Sequence, residues 1–310
     1  MVRTAAAQPP SSMQPGIVYA ALAFVGWGLF PVYFRQLEQV PALEIIMHRT
    51  LWSMLFVALL LLVRRRWEWL AQLRQNPRTV GVFALSALLL SGNWLIYVWA
   101  VNNGHVVDAS LGYFIQPLLN VALGTVFLHE RPRSGQWAAV ALAAAGVAWL
   151  TWQAGHLPWI GLSLALTFGI YGLMRKVAVL GALEGLAVET ALLTPLALAA
   201  LAWWGWRGEA AWVHADAPLW GWLLAAGPFT AIPLLLFAAG ARRITLTTLG
   251  VLQYIGPTLQ FMLGVWLYGE SLTPARLIGF VLIWAALVLF TLEGAWRQRR
   301  GASRVARTPA

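Results

Sequence analysis

Ala42-Leu43-Glu44-Ile45-Ile46-Met47-His48-Arg49-Thr50-Leu51-Trp52-Ser53 opens an apolar run that continues to Val63. Coiled as a helix, residues 42–63 are long enough to cross a hydrocarbon layer of about 30 Å. Inside the run, about two turns from its start, an imidazole sits beside a permanent cation. A charge at mid-membrane costs about 3 kcal/mol or more. The run is therefore a membrane span whose polar pair turns away from lipid.

The rest of the chain follows the same pattern. Of 310 residues 60% are hydrophobic and 10% charged, with mean hydropathy +0.70, against roughly 25% charged in soluble domains. Ten apolar spans can be marked, at 16–34, 42–63, 79–101, 106–128, 134–152, 157–174, 183–204, 218–240, 247–268 and 274–294. Their short connections leave no room for a soluble domain. Residues 1–15 read as a disordered tail, followed by a span too long for a signal peptide, so no cleavage is expected. Residues 295–310 read as a basic tail.

The formal net charge is +10, and of the 21 basic residues all but Lys176 are Arg. They fall between spans rather than on one soluble face, which argues against nucleic acid as a partner and for loop anchoring at a lipid bilayer. With the N-terminus inside, the inside segments hold Arg3, Arg64, Arg65, Arg66, Arg74, Arg78, Arg131, Arg133, Arg175, Lys176, Arg242, Arg243 and the tail arginines. The outside loops hold only Arg35 and Arg207. Both termini are thus expected in the cytoplasm. Several Trp residues, Trp67, Trp152, Trp203 and Trp206 among them, lie near span ends as an interfacial belt would place them. The chain has no Cys, so neither a disulfide nor a thiolate metal site is possible.

A repeat runs through the chain at an offset of 140. Pro117, Gly124 and Glu130 match Pro257, Gly264 and Glu270, and Ala42-Leu43-Glu44 matches Ala182-Leu183-Glu184. Residues 16–152 and 157–294 then form two units of five spans. Five is odd, so the second unit enters from the opposite side. Such inverted repeats build many secondary transporters, with substrate held near the midplane between the halves. The expected fold is all-α and polytopic: ten transmembrane helices in two inverted five-helix repeats.

Several strings carry a family resemblance over nearly the whole chain. They include Glu44-Ile45-x-x-His48-Arg49-x-x-Trp52-Ser53, Gly92-Asn93-Trp94, Ser110-Leu111-Gly112-Tyr113-Phe114-Ile115, Tyr171-Gly172-Leu173-x-Arg175-Lys176 and Gln253-Tyr254-Ile255-Gly256-Pro257-Thr258. They resemble the RarD branch of the EamA family, in the drug/metabolite transporter superfamily. The resemblance implies ten helices in two repeats, an inner-membrane location and small-molecule transport, usually export.

Ionisable residues within spans are functional by default. In the 140 register Arg49 corresponds to Glu189, so opposite charges occupy related positions. Inversion separates them by about 10 Å in depth, at about 1.5 Å per residue across a layer of about 30 Å. Both are expected to face one central cavity, Arg49 attracting an anionic or electron-rich substrate group and Glu189 carrying a coupling proton. A static charge network is the competing reading. His48 shares a helix face with Glu44 and Trp52. Asn93, Trp94, Tyr113, Asn120, Gln253 and Tyr254 complete the expected transport path, with interhelical hydrogen bonding as their structural alternative. Glu44, Glu130, Glu184 and Glu270 sit at span ends and read as caps in contact with water, and Asp108 reads as a helix cap. Gly28, Pro31, Pro117, Gly172, Pro228, Pro233 and Pro257 are the expected points of helix bending or gating.

These readings favour a secondary transporter of small amphipathic or aromatic metabolites over other classes. No phosphate-binding loop is present, which removes ATP-driven transport. His129-Glu130-Arg131 has no second His four residues on, so a zinc site is not expected, nor is any other cofactor. A membrane-embedded enzyme would want clustered carboxylates or a nucleophile motif, and neither occurs. Proton-coupled export and an uncoupled facilitator or exchanger both remain open.

Overall fold

The computed structural model describes residues 13–65, 67–102, 105–155, 157–267 and 274–305. Within them the chain is all helical. The helices are α1 (Met13–Gly28), α2 (Phe30–Phe34), α3 (Ala42–Arg64), α4 (Glu68–Gln75), α5 (Pro77–Asn102), α6 (Val106–Phe127) and α7 (Ser134–Ala154). There follow α8 (Trp159–Val177), α9 (Ala182–Trp206), α10 (Ala217–Ala241), α11 (Leu246–Gln253), α12 (Ile255–Leu267) and α13 (Pro274–Val305). Short 3-10 turns at Arg35–Leu37 and Ala211–His214 close two loops. Glu270 lies outside the described residues, as do the side chains of Asp108 and the tail arginines.

Among the described residues, seven segments are long and apolar enough to cross a membrane. They are the α1–α2 pair, α3, α5, α8, α9, α10 and the middle of α13. The chain is therefore a multi-pass membrane protein. Leu59, Leu88, Leu196 and Leu292 point outward, fully half exposed or more, an arrangement that suits lipid.

Helix ends follow from local chemistry. Asp216 Oδ1 accepts from the Leu219 N–H at 2.8 Å and caps α10, and the Thr245 hydroxyl accepts from Thr248 N at 3.1 Å and caps α11. Gly155 ends α7 with φ 77°, a left-handed conformation that glycine adopts without strain.

Three boundaries differ from the sequence expectation. The first helix starts at Met13, inside the predicted tail, because Gln14 and Pro15 suit a first turn. The last continues to Val305, past the predicted end at 294, because Trp296-Arg297-Gln298-Arg299-Arg300 favours helix once the apolar part has nucleated it. The Arg-rich connection holds α4, with Glu68 in its first turn and Arg74 in its last, both matched to the helix dipole.

The predicted bend residues divide into two groups. One helix line breaks at Leu29, between Gly28 and Phe30, where Pro31 supplies no N–H. A second breaks at Tyr254, three residues before Pro257. Pro117, Gly172, Pro228 and Pro233 lie within continuous helices.

The two breaks meet. A Cβ on Gly28 would lie 2.8 Å from Leu259 Cβ and 3.2 Å from the Gly256 carbonyl, so only glycine lets α1 approach α12 this closely. Elsewhere α3 packs between α9 and α10, α6 lies on α8, and α7 lies on α13. The interior between α1, α8 and α10 is aromatic: Trp27, Phe168 and Phe237 have ring centroids 5.3–5.5 Å apart, in tilted and edge-on arrangements.

Candidate functional site

A cavity of about 230 Å³ opens where the two broken helix lines face each other. Phe24, Trp27, Phe30, Pro31 and Phe34 of α1 and α2 form one wall, and Gln253, Gly256, Pro257 and Gln260 around the second break form the opposite one. Asn93, Trp94 and Tyr97 of α5, Gly112, Tyr113 and Gln116 of α6, and Leu164 and Phe168 of α8 close the sides. The lining is aromatic with four amides, and among the described residues no charged side chain lines it. A proline leaves the carbonyl four residues before it without a helical N–H donor, and at membrane depth such a group needs another partner. Here Gln260 Nε2 reaches back to the Trp27 carbonyl at 3.1 Å, tying one break to the other.

Of the nine predicted path residues, Asn93, Trp94, Tyr113 and Gln253 line the cavity. Asn93 donates to the Leu164 carbonyl at 2.8 Å and to Thr167 Oγ1 at 2.9 Å, which orients its amide across α5 and α8. Asn120 stands one layer back, donating to Gln253 Oε1 at 2.9 Å. Tyr254 also stands back, its hydroxyl donating to the Phe114 carbonyl at 3.2 Å. The latter two positions differ by 140 residues, the repeat offset itself.

Arg49 lies behind the wall. Its guanidinium carbon is 3.9 Å from the centroid of the Trp94 ring, a cation–π contact. The residue is 7% exposed, and its Nε and Nη1 have no hydrogen-bond partner. Among the described residues it forms no ion pair, so one face of Trp94 rests on an uncompensated charge.

Glu189 and His48 do not meet this cavity, contrary to the expectation of a shared site. Glu189, 1% exposed, accepts from the Ser86 hydroxyl at 2.5 Å and faces Arg175 Nη1 at 3.7 Å. Arg175 is 2% exposed and donates through Nη2 to the Ala182 carbonyl at 2.8 Å. The counter-ion of Glu189 is thus Arg175, in the last turn of α8, and not Arg49. Placing both residues in one cavity overlooked this third charge, which had been assigned to a cytoplasmic loop.

His48 turns toward a loop. Its Nδ1 accepts from Trp52 Nε1 at 3.1 Å, and its ring meets the edge of Trp220. Its neighbour Glu44 is buried rather than hydrated: Oε2 accepts from Ala211 N and Oε1 from Trp212 N, both at 2.9 Å. That carboxylate pins the Ala211–His214 turn to α3. Glu130 acts alike on α11, accepting from Leu246 N at 2.7 Å and from Thr247 N and Oγ1 at 3.0 Å.

At the α8–α9 loop and the end of α10 more carbonyls are held by cations. Arg242 donates to Ala178 O and Leu180 O, both at 2.7 Å, and Lys176 donates to Ala241 O and Ile244 O. Burial, then the neighbouring Arg175 and Arg243, hold the Arg242 guanidinium below its ordinary range, with Glu184 opposing them.

Sequence reasoning missed Gln116, Gln260, Arg175 and, of the aromatic lining, Phe24, Trp27, Phe30, Phe34, Tyr97 and Phe168. An aromatic residue in an apolar span reads the same whether it faces lipid or a cavity. Gln116 carried a usable signal, an amide one residue before Pro117.

The comparisons with known proteins agree with the geometry. The EamA-like transporter family matches residues 14–152. An uncharacterized transporter of Pseudomonas aeruginosa is 51% identical over 292 residues, covering 94% of this chain and 97% of the relative. Protein RarD of Escherichia coli is 44% identical over 285 residues, covering 92% and 96%. A protein of known crystal structure shares the fold with TM-score 0.68 at 22% identity, over 91% of this chain and 98% of that one. Long helices, a polar-studded aromatic cavity between two broken ones, and relatives that are named transporters all describe a membrane transporter. The chain belongs to the EamA-like transporter family, on its RarD branch.

Proposed function

We propose that the protein is an inner-membrane secondary exporter of small amphipathic or aromatic metabolites, working by alternating access around the cavity. The observation that carries this reading is the facing pair of helix breaks, α1–α2 and α11–α12, with a cavity between them. Broken helices at a repeat interface are where such transporters hold substrate.

The same reading takes the chain as an inverted repeat of two five-helix units, 16–152 and 157–294. Under the 140 offset, α1 matches α8, α3 matches α9, α5 matches α10 and α6 matches the α11–α12 pair. Contacts recur in matched sets: α3 on α10 with α9 on α5, α1 on α10 with α8 on α5, and α1 on α12 with α8 on α6. A pseudo-two-fold axis requires such pairing. With five spans per unit and the Arg distribution, both termini lie in the cytoplasm.

Arg49 makes the cavity electropositive through Trp94. Glu189 is the protonatable group, and its link to the cavity runs through the α5 and α8 helices that carry Ser86 and Arg175. In proteoliposomes, an imposed proton gradient is expected to raise substrate flux several-fold, and Glu189→Gln to remove that increment while basal exchange persists. The close pairing of Glu189 with Arg175 also favours a second reading, a static charge network in an uncoupled facilitator or exchanger. Wild-type flux that ignores the gradient would select it.

A further inference from the structure

Two buried groups beside the cavity lack partners. Gln116, 3% exposed, lines the cavity, and its Nε2 has no hydrogen-bond acceptor. Arg49 has unpartnered Nε and Nη1 and no carboxylate within ion-pair range among the described residues. A buried amide donor without an acceptor and a buried cation without a counter-ion are both costly. The neighbouring amides are engaged: Asn93 Nδ2 by Leu164 and Thr167, Gln253 Oε1 by Asn120, and Gln260 Nε2 by Trp27. The interior therefore presents a vacant donor and an excess positive charge next to an aromatic chamber.

We propose that this chamber selects aryl monocarboxylates: a single aromatic ring lies against Trp94 and Phe168, and Gln116 Nε2 donates to the carboxylate in the field of Arg49. The inference rests on the cavity being the substrate site and names the class it takes. The charge rule is sharp. One negative charge matches Arg49, whereas a cation is repelled by the same charge, and among the described residues no carboxylate lines the chamber to hold an ammonium group. The ring rule follows from Trp94: with Arg49 on one face, the aromatic faces turned toward the chamber offer stacking area for a second ring.

Three probes with one ring and the same chain length test it on the purified full chain in detergent, by calorimetry: 3-phenylpropionate, its isostere 3-phenylpropionamide, and 3-phenylpropylamine. The acid is expected to bind at least tenfold tighter than the amide, and the amine more weakly than both. Arg49→Met should bring the acid down to the level of the amide, and Gln116→Leu should weaken acid and amide alike. Gln116→Leu removes no existing hydrogen bond from Nε2, so it keeps the test open if Arg49→Met fails to fold. Equal binding of acid and amide overturns the inference, as does an acid preference that survives Arg49→Met, or binding untouched by Gln116→Leu. Acid-selective binding without flux in vesicles would leave this site standing and remove the transport reading. Flux of uncharged aromatics with no acid preference would do the reverse.

Discussion

Arg175→Ala is expected to lower stability by roughly 4 kcal/mol, because it strands a buried carboxylate. Glu189 is 1% exposed and would keep the Ser86 hydroxyl but no cation, while the Ala182 carbonyl at the start of α9 would lose its side-chain donor. The guanidinium also lies 5.6 Å from the Phe83 ring, in space closed by Gly185, so truncation leaves a void as well. Thermal unfolding in detergent, followed by size-exclusion chromatography, should show a large fall in midpoint or no monodisperse protein. Arg175→Met combined with Glu189→Leu should recover most of the loss, since an apolar pair of similar volume carries no stranded charge. Failure of that double variant alongside the single one would mean that the Ala182 contact, and not the charge pair, holds this junction.

Glu130→Ala carries the next largest expected effect, about 3 kcal/mol, since hydrogen bonds to a charged group are each worth about 1.5–3 kcal/mol. One carboxylate satisfies the Leu246 and Thr247 N–H groups and the Thr247 hydroxyl. It therefore fastens the loop after α6 to the start of α11, the helix that ends at the cavity break. Its removal leaves two N–H groups at a helix start unpaired. Glu130→Gln retains an acceptor oxygen and should lose less than half as much. The difference between the two midpoints reads the cap directly.

The all-helical, multi-pass character was legible in span length and apolar composition, and seven segments among the described residues meet the length and hydropathy of a membrane span. Sequence reasoning located Asn93, Trp94, Tyr113 and Gln253 because an amide or an amphipathic ring inside an apolar run stands out. It expected Glu189 and Arg49 to face one cavity because the register made them correspond, yet correspondence under inversion does not fix where a side chain turns, and Glu189 turns to a nearer cation, Arg175. Arg175 escaped notice because a cation at a span end reads as an interfacial anchor. Only its packing shows that it turns inward, to Glu189 and the Ala182 carbonyl. Glu44 and Glu130 read correctly as caps but were assigned to water. The backbone groups that they satisfy lie more than a hundred residues away, a distance that no local pattern encodes. The ring faces of Phe24, Trp27 and Phe168 were equally unmarked, since lipid and cavity favour the same residues.

The central claim is that the cavity between the two broken helix lines is the transport site and opens alternately to each side. The chain has no cysteine, so single Cys substitutions at Asn93 and Gln260, one on each side of the chamber, report accessibility without background. A membrane-impermeant thiol reagent applied to sealed right-side-out and inside-out vesicles is the direct measurement. The account predicts that both positions label from either face, and that substrate slows labelling. Labelling of both positions from one face only, unchanged by substrate, would contradict it.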